Sequence, residues 1–255
     1  MALELAAMEN DETIVLAGAA GAQVTLGRVI AAFKRSFYVA DAEGRLACAG
    51  GPDLGAGPLN ILYPACPQIP TTGTAWRFDL GAAPIWRPDP WPPLDAAACR
   101  RVAAAIPRDK GLLAAPAGDP FRAAAQAPLA ALARWQGGPV PNILANLLGL
   151  GPGLTPAGDD ALGGAALALR ACGRTADADA LRDFLRARVE TATSAISAAH
   201  LGAACDGSGA QALHTIIADI VQGQMPDLAP LDAIGHSSGY DALAGILAVF
   251  GVGPF

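Results

Sequence analysis

The sequence predicts an α+β protein, with a β-rich N-terminal domain followed by an α-helical C-terminal domain. Up to about Leu80, short apolar runs alternate with turn residues. Beyond Leu94, apolar residues recur at helical spacing between capping residues and glycines. Between the two lies "APIWRPDPWPPLD", whose five prolines (Pro84, Pro88, Pro90, Pro92 and Pro93) forbid regular ladders and favour extended chain. The expected organisation is a β-rich domain over 1–83, a proline-rich linker over 84–94 and a helical domain over 95–255.

In chain order, "TIVLAGA", "AQVTLGRVIAAFKRSFYVAD" and "RLACAGG" read as strands, with "DAEGR" as a hairpin turn. "GAGPLNILYP" offers a further strand after a Gly-Pro turn. Asp95 caps the helix "AAACRRVAAAI", and "DPFRAAAQAPLAALARWQ" is a second helix, expected to break before Pro128. "VPNILANLLGL", a short helix or strand, leads into a glycine loop. Four helical stretches follow: "TPAGDDALGGAALALRACG", the long "TADADALRDFLRARVETATSAISAAHLGAA", "SGAQALHTIIADIVQG" and "GHSSGYDALAGILAVFG".

Composition narrows the function classes. With 53% hydrophobic and 16% charged residues, a packed core is expected rather than disorder. Every apolar run is interrupted by Gly, Pro or a charge, so no membrane span is expected. The N-terminus "MALELAAMENDETIVL" carries acids where a secretory signal carries Lys or Arg, which points to a cytoplasmic protein. A net charge of −6, with no basic cluster, argues against a nucleic-acid partner. Five scattered cysteines never fall in a CxxC spacing and read as small buried hydrophobes.

The chemistry concentrates in "GLGPGLTPAGDD", Gly149 to Asp160. Thr155 before Pro156 reads as a hydroxyl cap followed by proline at the first helical position. The glycines, among them Gly151, Gly153 and Gly158, let the backbone turn and bare its N–H groups. A helix start with exposed donors is a site for an anion. Equally, Asp159 and Asp160 can satisfy that end themselves. Adjacent residues of a helix point about 100° apart, so the two carboxylates face different ways. Asp160 is expected to cap or to pair helices, and Asp159 to lie nearer the ligand. No GK[ST] follows, and the Rossmann context is missing.

The chain's end echoes this loop. "GLTPAGDDALGGAALAL" and "GHSSGYDALAGILAVF" share a Gly, a hydroxyl cap, another Gly and Asp-Ala-Leu, and with one gap Asp160 falls on Asp241 and Gly164 on Gly245. Ser238 and Asp241 have capping-box-like spacing. The echo describes two helices whose Gly/Ala faces pack closely and whose polar starts, at Thr155 and Ser237, share one site.

On these residues the chain resembles the DUF2877 family, whose signature pair is like "GLGPGLTPAGDDALGG" and "GHSSGYDALAG". "TATSAISAAHLGAACDG" is similar to the family's Thr/Ser-rich helix, and "GPLN" at Gly57–Asn60 matches loosely. Ala157 stands where the family's "TPSGDD" has serine. The family includes a subunit of bacterial oxamate carbamoyltransferase, from anaerobic allantoin breakdown. The resemblance therefore implies a transferase component that holds carbamoyl phosphate or a carboxylate and works with other subunits. Such a reaction needs no enzyme nucleophile; it needs anion-holding N–H groups, oxyanion donors and alignment of two small substrates. The "STRT" phosphate motif of better-known carbamoyltransferases is absent, and no arginine sits beside either loop.

Further candidates carry alternatives. His236, beside Ser237 and Ser238, can donate or shuttle a proton, and with Asp159 forms the expected catalytic pair. Asn142 and Asn146, one helical turn apart, line the cleft or bond locally. Asp159 and Asp160, with Asp241, can hold Mg²⁺. Thr191, Thr193, Ser194 and Ser197 are expected to back-bond to carbonyls, and His200 and His214 to be ordinary helix residues. Two rival functions stay open: a non-catalytic anion-binding scaffold subunit, and a Mg²⁺-dependent kinase or ligase using a nucleotide.

Overall fold

The computed structural model of the protein describes residues 8–9 and 13–253. Most of the acidic N-terminal stretch, which bears on the expected compartment, lies outside them. The architecture is α+β, a sheet region followed by a helical one. Two compact units divide at Pro88 and Asp89.

The first unit is one mixed sheet of β1 (Met8–Glu9), β2 (Leu16–Gly18), β3 (Leu26–Ala32), β4 (Ser36–Ala40), β5 (Leu46–Gly50), β6 (Asn60–Leu62), β7 (Ala75–Arg77) and β8 (Ile85–Trp86). The spatial order is β1-β7-β3-β4-β5-β6-β2-β8. The long run from Ala22 to Asp41 is two strands: β3 turns back at Phe33–Arg35 and pairs antiparallel with β4. Asp41 closes the next hairpin, accepting from the amides of Glu43 and Arg45, while Gly44 takes the left-handed conformation. Alternate residues of β3 are buried, as a one-sided strand requires, whereas all of β5 is buried. Phe37 meets Trp76 edge-on with ring centroids 4.7 Å apart, at the centre of this unit's core. Part of the proline-rich segment also joins the sheet. β8 runs parallel to β2, a short edge strand of the kind proline tolerates.

The second unit is helical: α1 (Ala96–Ala105), α2 (Pro120–Arg134), α3 (Ala157–Ala171), α4 (Thr175–Arg186), α5 (Val189–Ala192), α6 (Ala195–Cys205), α7 (Gln211–Val221) and α8 (Ser238–Val249). Asp95 and Asp119 cap α1 and α2, each carboxylate accepting from two first-turn amides. Contrary to expectation, α2 runs unbroken through Pro128, whose buried ring packs in the core. The long stretch from Thr175 is three helices, not one. It breaks at Ala187–Arg188 and again at Thr193–Ser194, where both residues are extended and their hydroxyls leave the helix for other partners. Ser194 accepts from the amide of Ser197 as the cap of α6. Among the described residues no helix is long and apolar enough to cross a membrane.

The centre of this unit is the pair α3 and α8, each buried on nearly every side. Their contact is backbone on backbone. A Cβ placed on Gly164 would overlap the carbonyl of Ala242, and one on Gly245 would overlap the carbonyl of Ala161. Since Gly164 aligns with Gly245 and Ala161 with Ala242, exchanging the two helices leaves this pairing unchanged. The internal echo in the sequence is thus a local two-fold relation.

Gly245→Ala should therefore destabilise the unit by about 3 kcal/mol, because the neighbouring carbonyl belongs to a buried helix and cannot retreat. Gly163→Ala is the control. Its Cβ would meet Ala204 Cβ at 3.6 Å, an ordinary contact, so it should be neutral or stabilise by about 0.5 kcal/mol. Urea denaturation of both variants checks the contrast; equal losses would remove the close-packing explanation.

Candidate functional site

The glycine loop joins a 3₁₀ turn over Asn142–Leu147 to α3. Gly149, Gly151 and Gly153 have φ of +70°, +118° and +95°, a conformation that other residues rarely adopt. The turn is secured from below: Leu150 N–H donates to Leu147 O at 3.0 Å and Gly158 N–H to Leu150 O at 2.9 Å. Among the described residues no acceptor is found for the amides of Gly151, Gly153, Leu154 and Thr155.

Helix α3 begins one turn position later than the sequence suggests. Pro156 is its cap residue, accepting from Asp159 and Asp160 amides at 2.9 and 3.1 Å. Thr155 does not cap. Its hydroxyl lies 3.3 Å from Ser238 Oγ at the start of α8. The two helix starts that echo each other in sequence therefore meet.

The two adjacent aspartates lie in different environments. Asp159 is buried, and both its oxygens accept from protein: Oδ1 from Gly149 N–H at 2.8 Å, Oδ2 from Ser197 Oγ at 2.6 Å and from the Thr193 hydroxyl. It ties the glycine loop to the break between α5 and α6, with both oxygens engaged by protein. The reason is tertiary. Thr193 and Ser197 arrive from more than thirty residues away and bond this carboxylate rather than their own carbonyls.

Asp160 has the opposite fate. Its Oδ2 is buried without a hydrogen-bond partner among the described residues. Burial pushes this carboxyl up to about 8; the Ser238 hydroxyl opposes the rise, and the charges of Asp241 and Asp159 add to it. Asp241, its aligned counterpart on α8, instead accepts from Leu112 N–H at 2.7 Å and Ser237 Oγ at 2.8 Å. Burial raises the Asp241 carboxyl too, against the pull of those two donors. The capping box read at Ser238 and Asp241 does not form: Ser237 is the cap residue of α8, its side chain caps no amide, and its hydroxyl donates to the Asp241 carboxylate instead.

Other expected residues are placed as follows. Gly158 is a packing glycine, since its amide is used and a Cβ would strike the Leu147 carbonyl. Asn142 and Asn146 are exposed on a 3₁₀ turn, where four residues no longer bring side chains onto one face. His236 is exposed in the turn entering α8, with no hydrogen bond to Asp159. His214 stacks on Trp91, with ring centroids 4.8 Å apart, and its Nε2 accepts from Gly209 N–H. All five cysteines are free, with Cys48, Cys99 and Cys205 buried; Cys66 is exposed rather than buried.

A Mg²⁺ site of Asp159, Asp160 and Asp241 is not assembled. Among the described residues no group of three or more His, Cys, Asp or Glu side chains is placed to hold a metal. Both oxygens of Asp159 are already taken. The sequence also hides two cations near α8. Lys110 bonds Asp232 at 2.8 Å and Tyr240 Oη at 3.0 Å, next to Gly111, which packs on Asp241. Arg122, paired with Asp119, acts on Asp241 through its charge. Nothing in the local sequence marks either, because both reach α8 only through tertiary packing. A cavity bounded by Leu185, Val189, Leu201 and Cys205, with Arg182 and Arg186 at its rim, shares no lining residue with this junction.

The unit is defined by two glycine-paired helices whose polar starts meet at a left-handed glycine loop. Residues 147–250 match the family described as oxamate carbamoyltransferase subunit AllH. The matched segment runs from the end of the 3₁₀ turn to the end of α8, taking in both signatures on which the resemblance rests, and leaves out the sheet unit. No curated protein and no solved structure matches the chain.

Asp159→Ala should cost about 3 kcal/mol, because a half-buried amide and two hydroxyls lose a charged acceptor. Urea midpoints test this, and a loss no larger than that of a surface alanine would remove the latch. Asp160 gives a pH signature. Its native value, about 8, lies above the ordinary 3.8, so between the two the native state holds a proton that the unfolded chain has released. Its contribution to stability must fall as pH rises through that window. Asp160→Asn should match wild type near pH 4 and melt increasingly higher than wild type towards pH 8; parallel melting profiles would contradict the burial of this acid.

Proposed function

We propose that this chain is a subunit of a carbamoyltransferase of the oxamate type, and that its glycine loop holds the anionic end of a substrate. The observation that carries this is the meeting of the two signature helix starts, Thr155 on Ser238, beside loop amides that lack acceptors among the described residues. Unsatisfied amides at a helix start favour negative charge, and the matched family segment covers the whole arrangement.

In this reading the loop amides of Gly151 and Gly153 take the phosphate of carbamoyl phosphate or the carboxylate of the acceptor. The acceptor nitrogen attacks the carbamoyl carbon, the carbon–oxygen bond to phosphate breaks, and phosphate leaves with that electron pair. The nitrogen gives up one proton; exposed His236, at the start of α8, is the side chain suited to take it. Thr155 and Ser238 donate to oxygens of the reacting groups. Asp159, held by three donors, positions the loop and touches no substrate. Asp241 holds Ser237 and the Leu112 segment in the same way.

Charge explains why other subunits are needed. The junction carries Asp159, Asp160 and Asp241, while Lys110 and Arg122 are engaged with Asp232 and Asp119. A dianionic donor held by amides alone binds poorly beside carboxylates, so its cations come from a neighbouring chain. Carbamoyl-phosphate-dependent carbamoylation of oxamate, followed as phosphate release, should be weak with the isolated chain and strong with its co-purifying partners. Full activity from the chain alone would defeat the shared site. Inactivity of the reconstituted assembly across oxamate, related amides and ammonia would defeat the transferase reading.

A further inference from the structure

Asp160 stands apart from the carboxylates around it. Asp159 and Asp241 each collect a backbone amide and at least one hydroxyl, whereas Asp160 has the Ser238 hydroxyl alone and its buried Oδ2 has no partner among the described residues. A buried carboxylate oxygen without a donor is among the costliest polar groups a protein can carry. The same atom as a carboxylic acid has its own hydrogen to give, and it then needs an acceptor rather than a donor. Around it lie the hydroxyls of Ser238 and, 3.3 Å from that, Thr155. The charged groups acting on it are Asp159 on its own helix and Asp241 on α8, both acids. Arg122 of α2 acts on Asp241 instead. Loss of a proton from Asp160 would thus add a third carboxylate to the junction, one that no amide holds among the described residues.

We propose that Asp160 is a ligand-binding residue, which enters the site as a neutral carboxylic acid and donates a hydrogen bond to an oxygen of a small bound oxyanion, with the Ser238 and Thr155 hydroxyls beside it. This rests on the reading of the loop as an anion site and names the group that lets an anion approach a cluster of acids. Burial and two neighbouring carboxylates act to keep the proton on, and the single Ser238 hydroxyl opposes them without supplying a donor to Oδ2. A carboxylate or a phosphoryl oxygen is an acceptor of the right kind, and binding it should in turn draw a proton into the complex.

The test is titration calorimetry of the full chain with oxamate and, separately, sulfate, neither of which titrates between about pH 6 and about pH 9. Wild-type affinity should be level at the acid end and fall about tenfold per pH unit once Asp160 ionises. Proton uptake, seen as dependence of the measured heat on the buffer, should accompany binding at the alkaline end. Asp160→Asn keeps a neutral donor and should bind at all these pH values without proton uptake. Asp160→Ala should bind at least about tenfold more weakly at the acid end, with an unchanged near-ultraviolet spectrum showing that it folds. A response to oxamate alone assigns the subsite to a carboxylate, and one to sulfate alone to a phosphoryl group. A flat wild-type profile, an Asp160→Asn variant that keeps the wild-type pH dependence, or no saturable binding of either anion would overturn the proposal. Carbamoyl transfer by the assembly is measured apart from this. Lost transfer with pH-dependent anion binding intact would count against the transferase reading, and active transfer with flat binding against Asp160.

Discussion

Everything at the candidate site depends on how closely α3 and α8 approach. Glycine in a helix interior weakens that helix by about 1 kcal/mol relative to alanine, yet Gly164 and Gly245 stand at the crossing, each against the other helix's backbone. Removing two Cβ atoms lets the backbones touch. That contact brings the first turns together, so that Thr155 reaches Ser238. With alanine at either position the helices would stand further apart, and the two hydroxyls would lose each other. Packing deep in the unit thus sets the geometry of a polar junction at its end.

The acids of the junction divide by what reaches them. Asp159 and Asp241 work as latches that draw distant backbone onto the helix starts, Gly149 in one case and Leu112 in the other. Each satisfies an amide, buried at Leu112 and half-buried at Gly149, which makes a charged group a structural element. Asp160 receives no such amide. Of two adjacent carboxylates in one sequence motif, one becomes a fixed acceptor and the other a group pushed towards neutrality. Their positions about 100° apart on the helix allow this difference, and the elements packed on either side decide it.

The loop gains its shape from the same latches. Its three left-handed glycines permit the path, but permission is not order. Gly149 is pinned by the hydrogen bond that its N–H donates to Asp159 and by close approach to the Ala192 carbonyl. The break between α5 and α6 supplies Thr193 and Ser197, so an interruption in the helical array is what anchors the loop. Amides further along the loop are left without acceptors among the described residues.

From residue order alone, the change from strand to helical periodicity, the capping of α1 by Asp95, the Asp41 hairpin and the echo between the two glycine-rich helix starts were all legible, because each rests on contacts within a few residues. The match over 147–250 follows the same motifs. What sequence could not decide was partnership at a distance. Thr193 and Ser197 read as back-bonding helix residues until Asp159 is brought beside them; Asp159 reads as the acid nearer a ligand, with no sign of the three donors that close on it; Lys110 and Arg122 carry no local sign of lying near α8. The break at Thr193–Ser194 was missed for the same reason, since helical spacing continues through it while the hydroxyls find better acceptors elsewhere. Local propensity sets which elements can form. The balance between desolvating a carboxylate and supplying it with donors is settled only when the elements pack, and it is this balance that distinguishes Asp159 from Asp160.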